Sequence, residues 1–172
     1  ELESGVDGMI IQMYASEGVY EDIEARLPRE KCVLLETDIT PEEYYQTVGP
    51  DNKELGSALA ERICQDFGEN LKGKAVGILC GNTGQIALRQ RLDGLEETLL
   101  KAGAKIQWKL AEMGRNPDKK LFEEKWNLGA DIVIALENSE TERAVDYMQE
   151  NQISVNNCVL YGVGNSEKVV YE

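Results

Sequence analysis

Two arginines in this chain, Arg89 and Arg91, have the chemistry to grip a small polar molecule. Arg89 and Arg91 stand ahead of Asp93-Gly94 in a helical stretch. A planar guanidinium can hold hydroxyls or a carboxylate with paired N–H bonds. On an open helix face it can equally be a solvated charge. Just upstream, Cys80-Gly81-Asn82-Thr83-Gly84-Gln85 joins an apolar run to that helix. A glycine-rich loop there presents backbone N–H groups at the positive end of a helix. Asn82 and Thr83 either face a ligand or close a turn and cap the helix. The loop lacks the Gly-Lys-Ser/Thr of a phosphate loop and the spacing of a dinucleotide fingerprint. Three further polar groups follow apolar runs: Glu36, Thr37 and Asp38, then Glu137 and Asn138, then Gly164 and Asn165. Open parallel sheets bind ligands beyond the carboxyl ends of their strands, which makes all of these binding candidates. The competing reading is ordinary turn and cap chemistry. Met113 and Trp108 could stack on a sugar face, although Trp108 sits inside an apolar run and reads as core.

The chain holds no histidine, which removes the commonest general base and the commonest zinc ligand. Several carboxylates together could serve glycoside hydrolysis, but nothing in the sequence marks one as buried with a raised pKa. No catalytic residue, cofactor or metal set is expected. The formal net charge is -14, and no basic stripe interrupts it. Such a surface repels phosphate backbones and anionic lipid, so no nucleic-acid partner is expected through this segment. The mildly basic stretch Lys101 to Lys109 reads as a solvated helix end and strand. Cys32, Cys64, Cys80 and Cys158 form no CxxC pair, and they read as free thiols packed as small hydrophobes. Such thiols suit a reducing compartment. The chain opens at Glu1 without Met, which reads as a processed or excised segment.

Chemistry at strand ends needs strands. Short apolar runs recur at Gly8-Met9-Ile10-Ile11, Cys32 to Leu35, Ala75 to Leu79, Ile132 to Ala135 and Val159 to Gly162, with a weaker run at Ile106 to Leu110. Runs without alternation are the pattern of parallel strands covered on both faces. Helical periods lie between them. Leu55, Leu59, Ile63 and Phe67 share a face over about Lys53 to Asn70. Ile86, Leu92, Leu95, Leu99 and Leu100 build a second helix, with Gly103 placed to end it. Leu121, Phe122 and Trp126 build a third behind Pro117, and Ala144, Val145 and Met148 a fourth behind an Asn138 or Ser139 cap. Strand and helix alternate throughout. The fold class is therefore α/β, a parallel sheet with helices on both faces.

One strand-helix-strand pattern occurs twice. Gly5-Val6-Asp7-Gly8-Met9-Ile10-Ile11 echoes Gly129-Ala130-Asp131-Ile132-Val133-Ile134, and Cys32-Val33-Leu34-Leu35 echoes Cys158-Val159-Leu160-Tyr161. The period is too long for a stacked solenoid. It reads either as two similar lobes or as two unrelated units sharing the few patterns that buried strands can show. Between the copies, Ile39 to Asn52 fits neither period. It carries Pro41, Pro50 and the Tyr44-Tyr45 pair, and it reads as a crossing between lobes. Residues 1–48 are expected to be a remnant of the first lobe with the crossing segment, and 49–172 the second lobe.

These residues carry a family likeness. Gly5 to Ile11 resembles the Gly-x-Asp-Gly strand of type 1 periplasmic binding proteins, of the sugar-binding and LacI-like superfamily. Val48-Gly49-Pro50-Asp51-Asn52 with Leu55-Gly56 resembles that family's entry into its second lobe. Gly73 to Gly81, followed by Arg91-Leu92-Asp93-Gly94-Leu95, resembles its next strand and arginine-bearing helix. Ala130 to Ala135 and Val159 to Asn165 resemble the two strands after that. The likeness covers nearly the whole chain in order. It implies a Rossmann-like lobe, with a small polar solute such as a sugar closed between two lobes. Carried over by position, Arg91 matches an arginine that bonds sugar hydroxyls. Glu36 to Asp38 fall where a hinge-side Asp-Arg pair is expected, Glu137 where a ligand-binding Asn is common, and Met113 near a stacking aromatic. Gly162-Val163-Gly164 stands where Gly-Phe-Asp is usual, which points to a different ligand or a rebuilt site. The resemblance implies a receptor working with a membrane transporter permease, exported or held at the cell surface. The alternative is the effector-binding domain of a cytoplasmic LacI-type regulator, which the cysteines suit better. An enzyme on a Rossmann-like sheet is the third reading.

Overall fold

The computed structural model describes residues 7–12, 25–26, 28–35, 46–111 and 118–167. Its strands form two parallel sheets. The first holds β1 (Met9–Ile11), β2 (Cys32–Leu35) and β3 (Gln46–Val48), in that order. Met9 pairs with Cys32 and Leu34 with Thr47. The strand β3 falls inside the segment that fits neither period. Its three residues are too few to display one.

The second sheet holds β4 (Ala75–Gly81), β5 (Lys105–Ala111), β6 (Ile132–Ala135) and β7 (Val159–Gly162), ordered β5-β4-β6-β7. Its helices are α1 (Asn52–Phe67), α2 (Ile86–Lys101), α3 (Lys119–Trp126) and α4 (Asn138–Glu150). The central strands β4 and β6 are buried on both faces, as their unbroken apolar runs require. Val76, Ile78 and Ile134 pack with Ile63 of α1 and Leu88, Leu95 and Leu99 of α2. Leu79 and Val133 turn to the other face, against Phe122 and Trp126 of α3 and Ala144 and Met148 of α4. The edge strand β5 alternates buried and exposed residues, which explains its weaker apolar signal. The first sheet departs from the rule of covered faces, because Ile10 is 75% exposed and Val48 57%.

The two copies of the repeated pattern share strand direction but not register. Met9 matches Val133 in sequence, yet Val133 pairs with Leu160 while Met9 pairs with Cys32, the counterpart of Cys158. The offset is two residues. An even shift leaves every side chain on its own face, so the sequence pattern cannot report it.

Local chemistry sets the helix starts. Asp51 caps α1, its Oδ1 accepting the Glu54 N–H at 2.8 Å. Asp118 caps α3 in the same way, accepting from Lys120 and Leu121. At α4 the cap position is Glu137 rather than Asn138 or Ser139. The Asn138 amide is drawn elsewhere, as described below. Trp108 is core: it is 4% exposed and its indole N–H donates to the Gly129 carbonyl at 3.2 Å. Gly77 is required beneath it, since a Cβ there would overlap the indole ring. Cys32, Cys80 and Cys158 are buried free thiols, while Cys64 is partly exposed on α1. Burial pushes the Cys80 thiol up to about 12, which leaves it protonated and unreactive. Among the described residues no helix is long and apolar enough to cross a membrane.

Candidate functional site

The order β5-β4-β6-β7 runs outward from β4 in both directions. A crevice therefore opens beyond the carboxyl ends of β4 and β6, where open parallel sheets hold ligands. The side chains gathered there form one connected cluster.

Arg91 reaches this end from the second turn of α2. Its Nε donates to Asn52 Oδ1 at 2.8 Å and its Nη1 to the Leu136 carbonyl at 3.0 Å. It is half-buried, whereas Arg89 is exposed. The solvated-charge reading thus describes Arg89 and not Arg91. The reach depends on how closely α1 and α2 cross. A Cβ on Gly56 would overlap the Arg91 carbonyl, and one on Gly94 would overlap the Lys53 carbonyl. The Ser57 hydroxyl donates to the Gly94 carbonyl at 3.3 Å. Only glycine lets the two backbones meet at these positions.

Glu137 follows β6 and is partly buried over Gly81, the last residue of β4. Gly81 has φ +66°, and a Cβ there would overlap the Glu137 carboxylate. Burial raises the Glu137 pKa above the ordinary glutamate value. The Ser139 hydroxyl, the Arg91 charge and the Asn82 N–H all pull the other way, and burial wins. The sequence showed no sign of such a carboxyl, because the burial comes from strands distant in the chain.

The neighbouring loops are tied by their own amides. Asn82 Oδ1 accepts the Gly84 N–H at 2.9 Å, and the Asn82 carbonyl accepts the Gln85 N–H at 3.0 Å. This is the turn chemistry open to an asparagine before a helix. Thr83 is half-buried in the same loop. Asn138 Oδ1 accepts the N–H groups of Asn165 and Ser166 at 3.0 and 3.2 Å, and its Nδ2 donates to Glu142 at 2.9 Å. Asn138 therefore fastens the segment after β7 to the start of α4, with Gly164 and Asn165 exposed at the rim. The Thr141 hydroxyl lies 2.9 Å from the Glu137 carbonyl and 3.1 Å from that of Val163. A Cβ on Gly162 would strike its side chain.

Arg91, Glu137, Asn82, Thr83, Asn138, Gly164 and Asn165 thus all lie at one end of the second sheet. Glu36, Thr37, Asp38 and Met113 lie outside the described residues, as do Tyr44 and Tyr45. Asn52 was not among the residues expected at the site. It is 1% exposed and bonded to Arg91. Its signal was an asparagine, a weak helix former, just inside a helix that Asp51 already caps. A cavity of about 400 Å³ runs along α4 and β7, lined by Val145, Met148, Ile153, Val159 and Leu160 among others. Its lining does not include Arg91 or Glu137. Among the described residues no cluster of His, Cys, Asp and Glu is placed to hold a metal ion.

Solved structures share this architecture. An ABC transporter solute-binding protein from Burkholderia graminis, in complex with D-arabinose, superposes with a TM-score of 0.81 at 14% identity, over 98% of this chain and 60% of that one. A glucose-galactose binding protein from Geobacillus stearothermophilus gives 0.77 at 15% identity, over 97% of this chain and 60% of that one. A LacI family transcriptional regulator from Silicibacter pomeroyi gives 0.72 at 18% identity, over 94% of this chain and 48% of that one. The chain therefore spans about three fifths of the solute-binding proteins it resembles, or less. At these identities the likeness is one of fold. No curated protein matches the chain by sequence. The periplasmic binding protein domain matches residues 1–171, and the chain belongs to that family.

Proposed function

We propose that this chain supplies one wall of a cleft that closes on a small polar solute, a sugar, as part of the receptor of an ABC transporter. The observation that carries the reading is that Arg91, bonded to Asn52 and to the Leu136 carbonyl, and Glu137 both stand at the carboxyl ends of β4 and β6. A guanidinium held by two bonds donates, and a partly buried carboxylate accepts. Together they supply the donor and the acceptor that a sugar hydroxyl, which both donates and accepts, can use. The D-arabinose bound by a neighbour of the same fold supports a sugar as the ligand class. Residues 1–48 belong on this reading to the first lobe and the crossing, and 49–172 to the second lobe. Glu36, Thr37, Asp38 and Met113 would contribute from the crossing and the opposite wall. Thr83, Gly164 and Asn165 would form the rim, with Asn82 and Asn138 shaping the loops. A permease in the membrane would be the partner, with the receptor exported or held at the cell surface.

A thermal-shift screen of the full-length protein against D-arabinose, D-galactose, D-fructose and D-glucose tests the reading. A dose-dependent rise in Tm with at least one sugar is expected. No shift with any of them would overturn the sugar assignment. A second reading, the effector-binding domain of a LacI-type regulator, is favoured by the four free cysteines, which suit a reducing compartment. A helix-turn-helix segment ahead of this domain would select it, and a secretion signal would select the receptor.

A further inference from the structure

A side-chain bond between Asn52 and Arg91 joins the start of α1 to α2. Asn52 opens α1, but Asp51 already caps that helix, so capping does not account for an asparagine there. Asparagine is a weak helix former, and a buried amide is costly unless its groups are bonded. Asn52 is 1% exposed. Its Oδ1 takes the Arg91 Nε–H at 2.8 Å, and its Nδ2 lies 3.4 Å from the Pro50 carbonyl. The Leu136 carbonyl takes Arg91 Nη1 at 3.0 Å. A guanidinium is a rigid plane, and bonds from two different nitrogens fix its orientation as well as its position. The glycine crossing at Gly56 and Gly94 puts Asn52 at that distance. Asn52 and Gly56 lie one turn apart on α1, and Arg91 and Gly94 one turn apart on α2.

We infer that Asn52 is a positioning residue, which orients the Arg91 guanidinium toward the crevice and also ties that arginine to the chain entering α1. The inference rests on Arg91 as a ligand contact, and it extends that reading to a residue that need not touch the ligand itself. It further implies that a change in the course of the chain at Pro50 is felt at the arginine.

The test uses the full-length protein and two substitutions, Asn52→Leu and Asn52→Asp. Leucine removes the acceptor at similar size, while aspartate keeps an oxygen in place and suits the first turn of a helix. The first readout needs no ligand: solvent exchange of the Arg91 Nε–H, followed by 15N NMR. Exchange in the parent should be at least tenfold slower than for the exposed Arg89. Asn52→Leu should bring Arg91 to the Arg89 rate, and Asn52→Asp should restore the protection. The second readout is calorimetry with D-arabinose. Asn52→Leu should weaken binding at least fivefold, Asn52→Asp much less, and Asn52→Leu should add nothing on top of Arg91→Ala. Unchanged Nε–H protection in Asn52→Leu overturns the positioning role, whatever the binding data show. Lost protection with unchanged affinity, where Arg91→Ala does weaken binding, overturns it too. If Arg91→Ala itself leaves affinity unchanged, the ligand reading of the arginine fails, and the Asn52–Arg91 bond is then judged by the NMR result alone.

Discussion

Asp131 and Glu137 flank the same strand, β6, and their pKa values shift in opposite directions. Asp131 accepts the Ala75 N–H at the start of β4, at 2.8 Å, and pairs with Lys74 at 3.0 Å. Glu137 accepts the Asn82 N–H just past the end of β4 and lies near Arg91. Each acid thus has a β4-side backbone donor and a cation. The Ala75 N–H, followed by Lys74, holds Asp131 below the ordinary aspartate value. Burial lifts Glu137 above the ordinary glutamate value despite its partners. Desolvation outweighs the partners at Glu137, whereas the direct bonds from Ala75 and Lys74 outweigh it at Asp131. One end of the sheet is a solvated clasp. The other is a partly dry recess of the kind in which a ligand can replace water.

The glycines bounding β4 give the sharpest way to break this contrast. Gly73 and Gly81 both have positive φ, but a Cβ at Gly73 meets nothing within 4 Å, while one at Gly81 meets the Glu137 carboxylate. Gly81→Ala should cost about 2 kcal/mol, from left-handed strain together with the displacement of the Glu137 carboxylate, which can swing aside. Gly73→Ala should cost about 1 kcal/mol from strain alone. Urea titration of both variants checks this. Equal losses would mean that the recess at Gly81 yields as freely as solvent.

Asp131→Asn comes next. It weakens two charge-assisted bonds at a half-exposed site, so the loss should be about 1 kcal/mol at neutral pH. A carboxyl with a lowered folded pKa stabilises above its unfolded value, and the contribution vanishes as pH falls through the folded one. Parent and Asp131→Asn should therefore converge in acid. Glu137→Gln should show the smallest effect and the opposite sign. A raised folded pKa means that ionised Glu137 costs stability, and the cost appears as pH rises through its folded value. The glutamine variant should then melt at or above the parent at pH 7, with the difference closing below the usual glutamate range. Thermal melts across pH follow both. A Glu137→Gln variant that melts well below the parent at pH 7 would show that the Arg91 attraction outweighs burial.

The sequence made the second sheet legible because β4 and β6 are covered on both faces, and continuous apolar runs say so directly. It concealed β3, which is three residues long. It also concealed the register of the first copy, since an offset of two leaves the pattern intact. Arg91 was readable as a candidate only through the family likeness, because residue type and position alone put Arg89 level with it. Its partner was not. Asn52 and Arg91 lie far apart in the chain, and they meet through the close crossing at Gly56 and Gly94. Asn82 and Asn138 show the converse limit. A polar residue at a strand end looks the same in sequence whether it faces a ligand or fastens a loop, and here both amides bond backbone N–H groups.

The proposed grip of Arg91 on a sugar lies at the partly buried end of the sheet. Calorimetric titration of the full-length protein and its Arg91→Ala variant with D-arabinose and the other monosaccharides tests it most directly, with Arg62→Ala as the surface control. Saturable binding is expected for the parent and for Arg62→Ala, with at least a tenfold loss in Arg91→Ala. Equal affinity in the parent and Arg91→Ala would contradict it.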